Sequence, residues 1–113
     1  LSEMAQASQC GFSVQTDQIP VGAAVKEVAD LFEVDPLISV GAGSMLMAVK
    51  AGTEKRLIEG LAEAGIPAAA IGEFTSAADQ ILVNAQGARQ PFVFDGVDPY
   101  WGAFFRAYEA GWK

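Results

Sequence analysis

Histidine is absent from the 113 residues of this chain, and cysteine occurs only once, as Cys10. Catalytic triads, histidine general bases and histidine-ligated metal sites therefore cannot be built from this chain alone. Cys10 cannot form a disulfide within the chain, and we interpret it as a small buried apolar residue rather than a nucleophile. The lack of an internal disulfide is typical of the reducing cytoplasm, where we expect the protein to act.

Basic residues are also scarce, because 7 Lys and Arg stand against 14 Asp and Glu, which gives a net charge of −7. This acidic balance disfavours nucleic acid and anionic membrane surfaces as partners. No apolar run approaches the about 20 residues that span a bilayer, so no membrane partner is expected. A local basic cluster at Lys50, Lys55 and Arg56 is interpreted as a solvated helix face, and attraction of a phosphate is the alternative.

The apolar content is high, at 51% of residues, which is enough for one compact domain with its own core. The sequence starts at Leu1, and residues 1–8 have the helical spacing expected of the second half of a helix, with Leu1, Met4 and Ser8 on one side. We therefore predict that residues 1–113 form a single domain and are the C-terminal part of a longer, two-domain protein.

The most informative run is residues 37–50, in which a glycine-bracketed turn separates two apolar segments. Gly41 and Gly43 allow backbone conformations with positive φ, Ser44 adds a hydroxyl, and such a turn offers N–H groups that could cradle a phosphate. A plain turn between two strands is the alternative, because a lone Gly-x-Gly is a weak signal.

Apolar periodicity predicts an α+β fold. Alternation at Phe12, Val14 and Thr16 predicts a half-buried strand. A helix between Pro20 and Asp35 is predicted by apolar residues that recur every three or four positions and should be buried, namely Val21, Val25, Val28, Ala29 and Phe32.

The segment from residue 45 to residue 74 is predicted to be a βαβ unit. Residues 45–49 are almost continuously apolar, as in a central strand; Thr53 can begin a helix, and residues 68–71 can form a second strand. Because such crossovers place their strands in parallel, the carboxyl ends of both strands would bring Lys50 near Glu73 and Phe74. Glu73 is therefore a candidate functional carboxylate, although an exposed glutamate at a strand end is the simpler interpretation.

The last third of the chain is predicted to contain a hairpin and a helix. Residues 80–83 and 91–94 can pair around Gly87, with Pro91 marking an edge strand. Asp98 can cap a helix that carries a dense aromatic stripe, formed by Tyr100, Trp101, Phe104, Phe105 and Tyr108. For the whole chain we predict a mixed sheet of about five or six strands with helices packed on it. The aromatic tail is expected to dock on its own domain, and a surface for another domain or subunit is the alternative.

Four features in order resemble the C-terminal domain of the aminoimidazole ribonucleotide (AIR) synthetase superfamily. They are Ile19-Pro20-Val21 at the helix start, Asp35-Pro36 before an apolar segment, the turn Gly41-Ala42-Gly43-Ser44, and the run Ala64 to Glu73. The superfamily includes hydrogenase expression/formation proteins, selenophosphate synthetase and thiamine monophosphate kinase, and the resemblance covers about residues 1–85.

This resemblance implies an ATP-dependent enzyme in which an N-terminal domain holds ATP and magnesium, usually across a homodimer. The C-terminal domain would close the cleft and direct Gly41, Ala42, Gly43 and Ser44 toward the phosphates. It implies no catalytic or metal-ligating residue in this chain, and no activity of the chain alone. Hydrogenase maturation proteins end in a cysteine that receives a carbamoyl group, whereas this chain ends in Gly111-Trp112-Lys113 and departs from that pattern.

The sequence also leaves a second function open. The same fold could serve as a non-catalytic interaction or small-ligand domain, with the aromatic C-terminal helix as its contact surface. A third, in which Cys10 acts as the nucleophile of an acyl-transfer enzyme, lacks a base to activate the thiol.

Overall fold

The computed structural model describes residues 1–39, 41 and 43–112. The elements follow the chain in the order α1 (Ser2–Ala7), β1 (Gly11–Gln15), a 3-10 turn (Thr16–Gln18), α2 (Ala23–Phe32), α3 (Glu54–Glu63), β2 (Gly72–Thr75), β3 (Gln80–Val83), β4 (Arg89–Pro91) and α4 (Pro99–Glu109). Two compact units form, one from residues 1–20 with 46–92 and one from residues 21–45 with the chain from Val93 onward. All four strands belong to the first unit, and α2 and α4 belong to the second.

The strands form one mixed sheet in the order β2-β1-β3-β4. β1 runs antiparallel to β2 and parallel to β3, while β3 and β4 form an antiparallel hairpin. The predicted α+β class with a mixed sheet is confirmed. In the part of the chain that the structure describes, the sheet has four strands rather than five or six.

The core of the first unit lies on one face of β1. Phe12 and Val14 are 1% and 2% exposed, and they share a face because alternate residues of a strand point to the same side. Ala5 of α1 is fully buried against them, and half-buried Cys10 packs on the same cluster. The predicted strand is therefore confirmed as the centre of the core, whereas Cys10 is only half-buried and not buried as expected.

The predicted βαβ unit over residues 45–74 is only partly correct. Its helix forms as α3, but neither residues 45–49 nor residues 68–71 are strands. The second strand instead begins at Gly72 and pairs antiparallel with β1. The argument that parallel strands would bring Lys50 near Glu73 and Phe74 therefore no longer applies. The parallel pair in this sheet is β1 and β3, and the connection between them contains α2, α3 and β2.

Residues 45–49 do not form the predicted strand because their apolar side chains are largely exposed. Met45, Leu46, Met47 and Val49 are between 44% and 78% exposed, so the run is not the buried central strand that its composition suggested. A strand also needs a ladder partner for its N–H and C=O groups. Among the residues the structure describes, this run pairs with none.

The predicted hairpin is confirmed, with its second strand two residues earlier than expected. Val83 pairs with Arg89 and Ile81 pairs with Pro91, so β4 ends where residues 91–94 were expected to begin their strand. The Asn84 side chain fixes this register because its Oδ1 accepts hydrogen bonds from the backbone N–H groups of Gln86 and Ala88, at 3.0 and 2.9 Å. Pro91 lies on the edge strand, as predicted.

The second unit contains the two predicted amphipathic helices, α2 and α4. α2 ends at Phe32, and Glu33 follows in a left-handed conformation with φ of 53°. The helix is confirmed but its predicted buried face is not, because only Ala29 is buried, whereas Val25 and Val28 are 54% and 52% exposed. Apolar spacing identifies the helix correctly without specifying what covers it.

Candidate functional site

The described residues of the glycine turn are joined by a backbone hydrogen bond. The backbone N–H of Ser44 donates to the carbonyl oxygen of Gly41 at 3.0 Å, and Gly43 has φ of +92°. A side chain at Gly43 would meet no atom within 4 Å, so the left-handed backbone, and not close packing, accounts for glycine there. Ala42 lies outside the described residues.

This geometry limits what the turn can offer to an anion. The Ser44 amide is already engaged by Gly41, so a phosphate would be met by the Ser44 hydroxyl and by other backbone groups of the turn. Gly41, Gly43 and Ser44 are all exposed, which leaves them accessible to a ligand. The phosphate role of residues 41–44 remains a prediction.

The basic cluster lies at and before the start of α3. Lys55 Nζ is 3.8 Å from Glu59 Oε1, one helical turn further on, and both side chains are largely exposed. Arg56 instead lines an open groove along α3, together with Val49, Thr53, Leu57, Gly60 and Leu61. The Thr53 hydroxyl donates to the carbonyl oxygen of Lys50 at 2.7 Å, so it anchors the turn that precedes the helix. Lys50, Lys55 and Arg56 are all exposed, as expected of a solvated surface.

Glu73 lies on β2 opposite Ser13 of β1, and it is exposed. Its position is that of a strand residue at the edge of the sheet. Across the described ranges, no group of three or more histidine, cysteine or acidic side chains could hold a metal ion. In the same ranges, no helix is both long enough and apolar enough to cross a membrane.

Exposed apolar surface on α2 and at residues 45–49 was not predicted from the sequence, whereas exposure of the aromatic helix is the alternative that the sequence left open. The outward positions of α2 (Val25, Val28 and Leu31), the run at 45–49, and the aromatic side chains of α4 are all substantially exposed. Exposed large apolar side chains along one helix face are typical of surface that another molecule or domain covers. In α4, the segregation of alanines from large aromatics along the helix could have indicated this.

Comparison with protein families and with solved structures gives consistent results. Residues 1–83 match the family model described as AIR synthase related protein, C-terminal domain. Over 63 residues, the chain is 36% identical to a Methanocaldococcus jannaschii protein named as a hydrogenase expression/formation protein. That alignment covers 56% of this chain and 19% of the relative.

Two solved structures share the fold. The E. coli hydrogenase maturation protein HypE matches with a TM-score of 0.75 and 26% identity, over 86% of this chain and 31% of that one. A chain of a HypE–HypF complex matches with a TM-score of 0.73 and 21% identity, over 82% of this chain and 31% of that one. This sequence thus spans about a fifth of its curated relative and about a third of each structure. Because residues 1–83 match the family model and HypE has the same fold, the chain belongs to the AIR synthase-related protein family and corresponds to the C-terminal domain of that family.

Proposed function

We propose that this chain is the C-terminal domain of an ATP-dependent enzyme of the hydrogenase maturation type, and that it closes a nucleotide and substrate cleft against an N-terminal domain. The observation that carries the proposal is the exposed apolar surface within the residues matched by the family model, on α2 and in the run at 45–49. A domain that functions alone rarely leaves such surface in water. A preceding domain would cover it.

In this proposal ATP and magnesium belong to the N-terminal domain, and the present chain positions the phosphates. Gly41, Gly43 and Ser44, with Ala42 between them, would face the phosphate groups as the cleft closes. The reaction would activate an amide or similar oxygen by phosphoryl transfer, which depends on positioning and electrostatic stabilisation more than on covalent chemistry by the protein. A chain without histidine and without a metal-ligating cluster in its described parts is suited to that supporting role.

The whole protein is expected to act with other proteins. One structural neighbour is part of a HypE–HypF complex, which makes a HypF-like protein a candidate partner. We also expect the cytoplasm as the compartment, because the only cysteine forms no internal disulfide.

Calorimetric titration with ATP and magnesium tests the proposal on the 113-residue chain and on the longer polypeptide that its gene would encode. We expect that only the longer polypeptide binds ATP and magnesium, and that the 113-residue chain does not turn over ATP. Gly43→Val should weaken binding about tenfold, since a β-branched residue resists the left-handed conformation.

Gly87→Val is the matched control for this substitution. Gly87 also has positive φ, at +79°, and open space around its α-carbon, but it lies in the β3–β4 loop. It should therefore carry a similar backbone penalty and leave nucleotide affinity unchanged. Failure of the longer polypeptide to bind ATP, or equal loss of affinity in both variants, would contradict the proposed role of the turn.

A further inference from the structure

Residues 35–39, which we call the Asp35 turn, join the end of α2 to the glycine turn. The end of α2 is itself fixed, because the backbone N–H of Val34 donates to the carbonyl oxygen of Ala29 at 3.0 Å. Ala29 is 5% exposed and is the buried residue of that helix. The chain therefore enters the Asp35 turn from an anchored position.

Three hydrogen bonds converge on Asp35. Its Oδ1 accepts from the backbone N–H of Leu37 at 2.8 Å. Its carbonyl oxygen accepts from the backbone N–H of Ile38 at 3.3 Å and from the hydroxyl of Ser39 at 2.9 Å. Aspartate followed by proline favours such a turn, and Pro36 supplies the proline. The side chain and the main chain of one residue thus hold the next four in place.

The glycine turn follows almost directly along the chain. Residue 40 alone separates Ser39 from Gly41, and it lies outside the described residues. Beyond it, the backbone N–H of Ser44 donates to the carbonyl oxygen of Gly41 at 3.0 Å. Both turns belong to the second unit, as does α2. A hydrogen-bonded path therefore leads from buried Ala29 to Ser39, two residues before the glycine turn begins.

We propose that Asp35 is a positioning residue for the nucleotide phosphates, because the Asp35 turn holds the glycine turn in the orientation that meets them. This inference rests on the proposed phosphate role of residues 41–44 and deepens it. A loop that is competent for only part of the time binds with an affinity reduced by that fraction. Asp35 raises the fraction before the ligand arrives. Since a carboxylate repels a phosphate, Asp35 acts through the backbone and not by contact with the ligand.

Asp95 provides a matched control within the same unit. Its Oδ1 accepts from the backbone N–H of Val97 at 2.9 Å, which is the same bond, over the same spacing, as that between Asp35 and Leu37. Asp95 lies between β4 and α4, in a different loop from the glycine turn. Replacing it by alanine removes an equivalent hydrogen bond without touching the connection to residues 41–44.

Calorimetric titration of the longer polypeptide with ATP and magnesium tests the proposal. Asp35→Ala should weaken ATP affinity about fivefold, the change that corresponds to losing one hydrogen bond from the competent conformation. Asp95→Ala should bind ATP as the parent does. Urea denaturation should show similar losses of stability for the two variants. A difference in affinity between them then reports on the position of the glycine turn and not on a general weakening of the domain.

Asp35→Asn separates the hydrogen bond from the charge. Asparagine makes the same bond elsewhere in this protein, where Asn84 Oδ1 accepts from the backbone N–H of Gln86 at 3.0 Å. Asp35→Asn should therefore restore the affinity of the parent. Both substitutions remove a negative charge, which by itself favours an anionic ligand. A weaker affinity confined to the alanine variant thus identifies the hydrogen bond as the cause.

Ser39→Ala tests the same turn from its other end. It removes the hydroxyl that donates to the carbonyl oxygen of Asp35 and leaves the Asp35 side chain in place. It should weaken ATP affinity about two- to fivefold. Circular dichroism verifies that the variants fold, and Ser39→Ala carries the test if Asp35→Ala does not.

Failure of this inference is distinguishable from failure of the proposed function. A longer polypeptide that binds no ATP, or Gly43→Val that binds as the parent does, would overturn the phosphate role of the glycine turn and this inference with it. If Gly43→Val weakens binding while Asp35→Ala and Ser39→Ala do not, only the inference is wrong. Equal loss of affinity in Asp35→Ala and Asp95→Ala, or Asp35→Asn that binds as weakly as Asp35→Ala, would also overturn it.

Discussion

The ring of Phe12 packs against the ring of Phe92, with centroids 5.8 Å apart and planes inclined by 56°. Phe12 is 1% exposed and lies at the centre of the core of the first unit. Phe12→Ala should lower the free energy of unfolding by about 3–5 kcal/mol, because it removes buried area and leaves a cavity. Urea denaturation measures this, and Val93→Ala at an exposed site should change stability by less than about 0.5 kcal/mol. Similar losses from both variants would contradict the assignment of the core.

The close pairing of β2 with β1 depends on Gly72. A Cβ atom added there would collide with the backbone carbonyl oxygen of Ser13, on the neighbouring strand. Since that oxygen is part of the main chain, it cannot rotate away as a flexible side chain could. Gly72→Ala should therefore cost at least about 2 kcal/mol and increase hydrogen exchange in β1. Gly87→Ala, which has open space, should cost only about 1 kcal/mol through its positive φ, and an equal cost at both sites would refute the close approach.

Sequence reasoning succeeded where the pattern and its cause lie within one segment. Alternation at Phe12 and Val14 identified β1, and the stop at Glu33 agrees with the predicted end before Asp35. It failed where burial depends on distant parts of the chain. The apolar run at 45–49 has the composition of a covered strand, but composition does not specify which surface provides the cover.

The candidate site shows the same limit. The sequence predicted a turn at Gly41 and Gly43, and the hydrogen bond between Ser44 and Gly41 confirms that the chain reverses there. Whether that turn meets a phosphate depends on groups that would lie across a cleft, and local spacing carries no information about them. The exposed face of α2 was missed for a related reason, because periodicity reveals an apolar face without its partner.

The start of α4 depends on Asp98. Its Oδ1 accepts a hydrogen bond from the backbone N–H of Tyr100 at 2.9 Å, and Pro99 occupies the first helical position. Asp98→Ala should reduce stability by about 1 kcal/mol and lower helix content, because the terminal N–H groups lose their acceptor. Asp98→Asn should restore most of that loss, since asparagine caps comparably. If alanine is tolerated as well as asparagine, the cap does not contribute to stability. Thermal unfolding followed by circular dichroism distinguishes these outcomes.

Leu31 on α2 tests whether another domain covers this helix. Leu31 is 62% exposed in the present chain, so Leu31→Glu should change its stability by less than about 0.5 kcal/mol. In the longer polypeptide, the same change should cost about 2–3 kcal/mol, because a buried leucine contributes that much and a buried glutamate adds desolvation. Val93→Glu lies outside the family-matched residues and should be tolerated at both lengths. Measured by urea denaturation, equal tolerance of Leu31→Glu at both lengths would mean that α2 stays exposed and that the N-terminal domain docks elsewhere. A loss confined to the longer polypeptide would place α2 in the domain interface, because the present chain alone does not bury this side chain.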